Sequence, residues 1–164
     1  IVTKVICLVL RYLTLGGFGQ QWAIMYDEID GDVDLELFAS SINHNFPVYC
    51  SLFVDIEKDF GSIGTYNKGI NKIKNNMYIV VNPPYIEKII NDVSDKLIEK
   101  ISNLDSVKMT IVLPNWQDMK SIKNLIKNKY CVNFSRMGDM KDKLTDKIIP
   151  AYSHKSIRVD LVKK

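Results

Sequence analysis

Met77-Tyr78-Ile79-Val80-Val81 runs directly into Asn82-Pro83-Pro84-Tyr85. Five consecutive apolar residues without alternation predict a strand buried on both faces, as in a parallel sheet. The two prolines set two φ angles at about −65° and remove two N–H donors, so the strand must stop there. Beyond the turn, Ile86, Ile89, Ile90, Val93, Leu97, Ile98 and Ile101 trace one stripe of a helix. Val107 to Leu113 repeats the buried-strand pattern and Pro114 ends it. A buried strand, a long helix and a second buried strand make a crossover unit, which demands a parallel sheet clothed by helices.

The flanks extend this unit. Toward the C-terminus, 119–128 reads as a Lys-rich amphipathic helix, 130–134 as a strand and 135–146 as a polar, charged loop. Residues 156–162 alternate as a last strand. Toward the N-terminus, Asp59-Phe60-Gly61-Ser62-Ile63-Gly64 is a Gly-punctuated loop, and 52–55 is a short strand. Residues 41–53 read as a helix capped by Ser40 or Ser41, with Pro47 kinking or breaking it. Asp34 to Ser40 alternates as a strand with Leu35, Leu37 and Ala39 on one face. Asp30-Gly31-Asp32 is a turn, 20–29 reads as helical, and Val5, Leu8, Val9, Tyr12 and Leu13 mark an opening helix. Gly16-Gly17-Phe18-Gly19 lacks the fingerprint's third glycine, since Trp22 stands there, and follows a helix rather than a strand, so it reads as a turn and not as a dinucleotide fingerprint. No internal repeat appears. The expected fold is α/β and Rossmann-like, a mostly parallel sheet with helices on both faces. Ligands then sit beyond the carboxyl ends of the strands, at the loops after Ala39, Phe53, Val81 and Leu113.

At 164 residues, 46% hydrophobic and 25% charged, the chain has ordinary globular composition, which excludes a disordered, collagen-like or coiled-coil chain. One domain over 1–164 is expected, with a helical lead-in over 1–30 and the core over 31–164. The first residue is Ile1 rather than Met, which predicts a fragment lacking upstream domains. No apolar run approaches the roughly 18–20 residues of a membrane span, so no membrane partner is expected. Cys7, Cys50 and Cys131 are odd in number and unpaired in spacing, which points to a reducing, intracellular compartment. His44 and His154 are far apart in sequence, so no metal is expected. Residues 1–85 carry six Lys/Arg against nine Asp/Glu, and 86–164 carry sixteen against ten. A basic second half suits a polyanion, although solvated Lys-rich helix faces give the same pattern.

The turn after the first buried strand carries chemistry. Its carbonyls are free to accept, and the Asn82 side chain adds another acceptor. Two fixed acceptors suit a planar –NH₂ group, which has two hydrogens to donate. Such an amine is a poor nucleophile because its lone pair is delocalised into the ring. Hydrogen bonds to Asn82 Oδ1 and the Pro83 carbonyl favour a more tetrahedral nitrogen, its lone pair turned toward an electrophilic methyl. Tyr85 offers a face on which a base can stack, worth roughly 1–3 kcal/mol. The plainer reading is a Pro-Pro helix start with Asn as its cap. Asn82-Pro83-Pro84-Tyr85 resembles the Asn/Asp-Pro-Pro-aromatic signature of S-adenosylmethionine-dependent amino methyltransferases, which act on adenine, cytosine or protein glutamine.

More of the chain narrows the likeness. Cys7, Arg11 and Tyr12 match a Cys-x-x-x-Arg-Tyr helix motif. Phe38-Ala39-Ser40-Ser41-Ile42-Asn43 matches Phe-Ala-Ser-Pro-x-Asn except at Ser41. Cys50, Ser51, Phe53 and Asp55 match Cys-Ser-x-Phe-x-Asp, and Phe60, Gly61, Ser62 and Gly64 match Phe-Gly-Ser-x-Gly. Tyr85 stands where the family has Phe, and Pro114 and Trp116 match Pro-x-Trp. These ordered motifs, over most of residues 6–116, resemble the catalytic domain of the phosphorylated-CTD-interacting-factor family, the cap-specific adenosine N-methyltransferases.

The resemblance implies a class I S-adenosylmethionine-dependent methyltransferase fold with S-adenosyl-L-methionine as cofactor and RNA, at its capped 5′ end, as partner. It implies that Asn82, Pro83, Pro84 and Tyr85 are catalytic, and that Phe38, Ala39, Ser40, Asn43 and Asp55 bind cofactor, Asp55 at the end of a second strand. Phe60, Gly61, Ser62 and Trp116 then line the substrate side, and His154 corresponds near the last strand. The WW domain that animal members carry upstream is expected to be missing, so the polymerase tail is not implied as a partner. DNA adenine or protein glutamine methylation, or a catalytically dead RNA-binding fold, are the alternatives.

Overall fold

The computed structural model describes residues 1–15, 22–24, 29, 31–136, 140–142, 148–149 and 156–164, of which 22–24, 140–142 and 148–149 are described by backbone alone. The chain opens with α1 (Val2–Thr14), then β1 (Trp22–Ile24), β2 (Leu35–Glu36) and the short helix α2 (Val54–Glu57), which continues as a 3₁₀ turn over Lys58–Phe60. There follow α3 (Tyr66–Lys72), β3 (Met77–Val81), α4 (Glu87–Ser102), β4 (Val107–Pro114), α5 (Lys120–Ile126) and β5 (Cys131–Arg136). The last elements are β6 (Met140–Asp142), β7 (Ile148–Ile149) and β8 (Ser156–Lys163).

The main sheet has the order β2-β3-β4-β8-β5. β2 pairs parallel with β3, and β3 with β4. β8 pairs antiparallel with β4 on one side and β5 on the other. Four of the five strands therefore point one way, and β8 alone runs against them. Two single parallel bridges, Glu36 to Tyr49 and Tyr49 to Ser62, carry the same sense outward past β2. Chain direction, order and crossover helices together make the fold Rossmann-like. A separate small antiparallel sheet has the order β1-β6-β7.

Side chains divide as a pleat requires. Ile79, Val81, Met109, Ile111, Leu113, Val159 and Leu161 meet Ile70 of α3, Ile90, Val93, Leu97 and Ile101 of α4, and Ile122 and Leu125 of α5 in the main core. Tyr78, Val80 and Val112, on the other face, pack with Ile29 and Phe46. A buried polar line crosses that face. Tyr78 Oη lies 2.9 Å from Thr110 Oγ1, Thr110 donates to Asp160 at 2.6 Å, and Asn133 and Arg158 donate to the same carboxylate at 2.8 and 2.9 Å.

Several sequence expectations change. Residues 41–53 form turns rather than a helix, because buried side chains and not an amphipathic stripe hold them. The strand expected over 52–55 is instead a bend that leads into the first turn of α2 at Val54, and the sheet's second step is the bridge at Tyr49. Within the helix expected over 20–29, Trp22–Ile24 form strand β1, drawn into a pairing with β6 that local periodicity does not encode, and Ile29 lies in a bend. β6 likewise lies inside the stretch expected to be a loop. β2 does not alternate in burial, since Leu35, Glu36 and Leu37 are all buried. The glycine turn at 16–19 and His154 lie outside the described residues.

Candidate active site

From β2 the chain runs outward to Tyr49 and Ser62, then returns through α3 to β3 on the other side of β2. This reversal is a topological switch point, where an α/β sheet opens a crevice past its strand ends. The segments leaving β2 and β3 flank that switch point. Both were singled out from sequence.

The segment after β2 is closed on itself. Ala39 N donates to the Cys50 carbonyl at 2.9 Å, and His44 N to the Ser40 carbonyl at 3.0 Å. Ser40 N donates to Asn43 Oδ1 at 2.7 Å, while Ile42 N and Asn43 N both donate to Ser40 Oγ at 3.1 Å. Ser41 N donates to Glu57 at 2.8 Å, and Asn45 N and Phe46 N donate to Glu36 at 2.9 and 3.4 Å. Every backbone N–H from Ala39 to Phe46 is thus consumed within the protein. A pyrophosphate cradle needs such donors turned toward the ligand. This loop has none to spare, and it is underlain by two buried carboxylates, Glu36 and Glu57.

Glu57 joins three motifs that lie apart in sequence. Its carboxylate accepts from Tyr12 Oη of α1 at 3.1 Å, from Ser41 N, and from Phe53 N at 3.0 Å. Burial, with the Glu57 carboxylate alongside, pushes the Tyr12 pKa far above the ordinary phenol value, so the hydroxyl remains a donor. The Tyr12 ring meets Phe53 edge-on with centroids 4.9 Å apart. Arg11 donates to Asp55 at 2.7 Å, and its hydrogen bond holds the Asp55 carboxyl below the usual carboxylate range. Lys4 pairs with Asp59. Asp55 does not end a strand as expected. It stands in the first turn of α2, exposed, with its carboxylate turned to α1.

On the facing side, Pro83 is buried, Asn82 half-buried and Pro84 exposed, so the corner is not sealed. Pro84's carbonyl accepts from Ile86 N at 2.7 Å. Among the described residues, neither the Asn82 side chain nor the Pro83 carbonyl has a hydrogen-bond partner. Tyr85 Oη lies 2.6 Å from Ser156 Oγ at the start of β8, and burial raises its pKa. Its ring meets Trp116 edge-on at 6.3 Å, and Trp116 is 43% exposed. β3, β4 and β8 thus bring the two predicted aromatics together past the strand ends. Two surface cavities formed by described residues lie elsewhere, one between α4 and α5 and one at the opposite end of the sheet.

The remaining predicted residues are more structural. Phe38 stacks on Tyr66 at 4.7 Å and packs against the main core. Phe60's carbonyl accepts from Tyr49 Oη at 2.8 Å, Gly61 adopts φ 106° in the turn, and Ser62 accepts from Ser51 at 2.6 Å. Sequence reading missed Glu36, Glu57 and Ser156. Glu57 sits in a charged run, Ile56-Glu57-Lys58-Asp59, that reads as solvated surface. Ser156 carried the one usable signal, as a polar position on the alternating last strand.

No curated protein matches the chain. Among solved structures, "Crystal structure of SMU.472, a putative methyltransferase complexed with SAH" is similar at 10% identity and a TM-score of 0.47. The similarity covers 73% of this chain and 32% of that one, so the chain spans about a third of that protein's length. A family model described as the phosphorylated CTD interacting factor 1 WW domain matches residues 1–147. This corrects one expectation. The expectation that the WW domain is missing, and that the polymerase tail is therefore not implied as a partner, does not hold, because the model that carries the description runs along this chain itself. With most of its length inside that model, the chain belongs to the phosphorylated CTD interacting factor 1 WW domain family.

Proposed function

We propose that this chain is an S-adenosylmethionine-dependent methyltransferase that acts on the exocyclic amino group of adenosine in RNA, at the capped 5′ end. The observation that carries the reading is a pair of acceptors with no hydrogen-bond partner among the described residues, Asn82 Oδ1 and the Pro83 carbonyl, on a double-proline corner at the switch point. The loop across the crevice fits the same cofactor. Its backbone N–H groups are consumed and two carboxylates lie beneath it, which disfavours a pyrophosphate and suits a ligand that bears positive charge. Ser40, Asn43 and Asp55 are the residues assigned to hold it, with Phe38 and Ala39 forming the loop's entry. When bound, S-adenosylmethionine supplies an electrophilic methyl group on a sulfonium.

The protein's own part is positioning. Asn82 and Pro83 each accept one hydrogen from the amine, which withdraws the nitrogen lone pair from the ring and fixes its direction. Tyr85 stacks on the base, held by Ser156 and by the edge of Trp116. Holding reactants in attack geometry supplies about 7–11 kcal/mol in well-oriented systems, enough to dispense with a strong base. Phe60, Gly61, Ser62 and Trp116 are assigned to the substrate entrance. The test is methyl transfer from labelled cofactor to capped RNA, uncapped RNA and DNA in parallel, followed by nucleoside analysis. Label in N-methyladenosine from capped RNA is the expected result. Label confined to DNA or to protein, or no transfer at all, overturns the proposal.

A further inference from the structure

We infer that Glu57 is a positioning residue for the cofactor loops, setting the segment after β2 and the segment entering α2 in one geometry and tying both to α1. The inference rests on the cofactor reading above. Glu57 is fully buried, and its two oxygens take four donors: Tyr12 Oη at 3.1 Å, Ser41 N at 2.8 Å, Ser41 Oγ at 3.3 Å and Phe53 N at 3.0 Å. A carboxylate has about four lone-pair sites, so this one is filled. Ser41 adjoins Ser40, and Phe53 lies two residues before Asp55. The hub therefore sits between the residues assigned to the cofactor without being one of them.

The donors come from α1, from the loop after β2 and from the start of α2. These segments have no ladder to fix them. The single bridges at Tyr49, the Leu37 N to Val80 carbonyl bond and the Glu36 carboxylate join that region to the sheet, a thinner attachment than a strand ladder gives. If the acceptor is lost, two backbone N–H groups and the Tyr12 phenol lose their carboxylate partner, and the loops must shift to satisfy them. Asn82 and Tyr85, on the far side of β2, are supported by β3, β4 and β8 and stay in place. The expected signature is weakened cofactor binding with turnover preserved once cofactor saturates.

The experiment uses the whole chain and two variants, Glu57→Gln and Tyr12→Phe, in calorimetric titrations with S-adenosylmethionine and in turnover at saturating cofactor. Tyr12→Phe withdraws a single donor and leaves the carboxylate its other partners, so it keeps the fold. Its cofactor Kd should rise about 3–10-fold, and that of Glu57→Gln about 10–100-fold, with kcat at saturation within about threefold of wild type for both. Wild-type affinity in both variants, or a fall in kcat as large as the loss of affinity, overturns the inference. Should Glu57→Gln fail to fold, Tyr12→Phe decides alone. Absence of binding by the wild-type chain removes the cofactor reading and this inference with it, which is distinct from a wild type that binds and variants that bind equally well.

Discussion

Asn82 is the residue on which the chemistry turns. It is half-buried, follows a strand fixed on both sides, and has no other hydrogen-bond duty among the described residues. Asn82→Ala should therefore fold normally and bind cofactor with wild-type affinity, yet lose turnover by about two to three orders of magnitude, the scale seen when one preorganised hydrogen-bonding group is removed. Near-normal turnover in that variant takes Asn82 out of the mechanism. Cysteine reactivity is a second point. Burial pushes the Cys50 thiol up to about 11, so at pH 8 it is almost wholly protonated, whereas Cys7 is exposed. The thiolate is the reacting form. Iodoacetamide at pH 8 should label Cys7 and spare Cys50, with Cys50 labelling rising only as the pH nears 11; peptide mass mapping at several pH values reads both. Equal rates at pH 8 contradict the buried placement.

Among the elements, those read most directly from sequence are the ones whose burial is complete and local. β3, α4, β4, α5 and β8 fall within a residue or two of expectation, because unbroken apolar runs and long helical stripes survive any tertiary context. The failures share a cause. Residues 41–53 are shaped by Glu36 and Glu57 bonding to backbone N–H groups, and β1 by its partner β6, neither of which leaves a periodic trace. The site divides likewise. Asn82, Tyr85 and Trp116 were visible because prolines and aromatics beside strand ends are conspicuous. Glu57 was not, because a buried glutamate looks like any other until its donors are placed. α3 offers a test where two rules disagree. Gly69 lies in this helix, and alanine there should add about 1 kcal/mol of helix propensity. An added Cβ, however, meets Cys50 Sγ and comes within 2.6 Å of Leu37 Cδ2, both in the packed core. Overpacking costs about 1–3 kcal/mol and wins. Gly69→Ala should be less stable in urea titration, and a stabilised variant shows that the Leu37 and Cys50 side chains can yield.

Taken together, the molecule separates its charge. The acidic first half supplies the loops and buried carboxylates on one side of the crevice, and the basic second half supplies α5 and its surroundings. Lys120, Lys123 and Lys127 are all exposed on or just past α5. If they contact RNA phosphates, changing all three to Glu should weaken binding and lower the slope of log affinity against log salt by about 0.7 per lost contact with a single strand. An unchanged slope in filter-binding or fluorescence titration places the RNA elsewhere. The sheet also bears on how the chain is made. β8 fills the gap between β4 and β5 and faces β4 along its full length, from Val107 opposite Lys163 to Pro114 opposite Ser156. On the ribosome, every strand of the central layer is therefore synthesised before the one that joins its two parts. A nascent chain stalled before residue 156 holds two open strand edges with nothing to seal them. Such a chain is a natural client for holding chaperones, and proteolysis of arrested chains should change sharply once the segment 156–163 clears the exit tunnel.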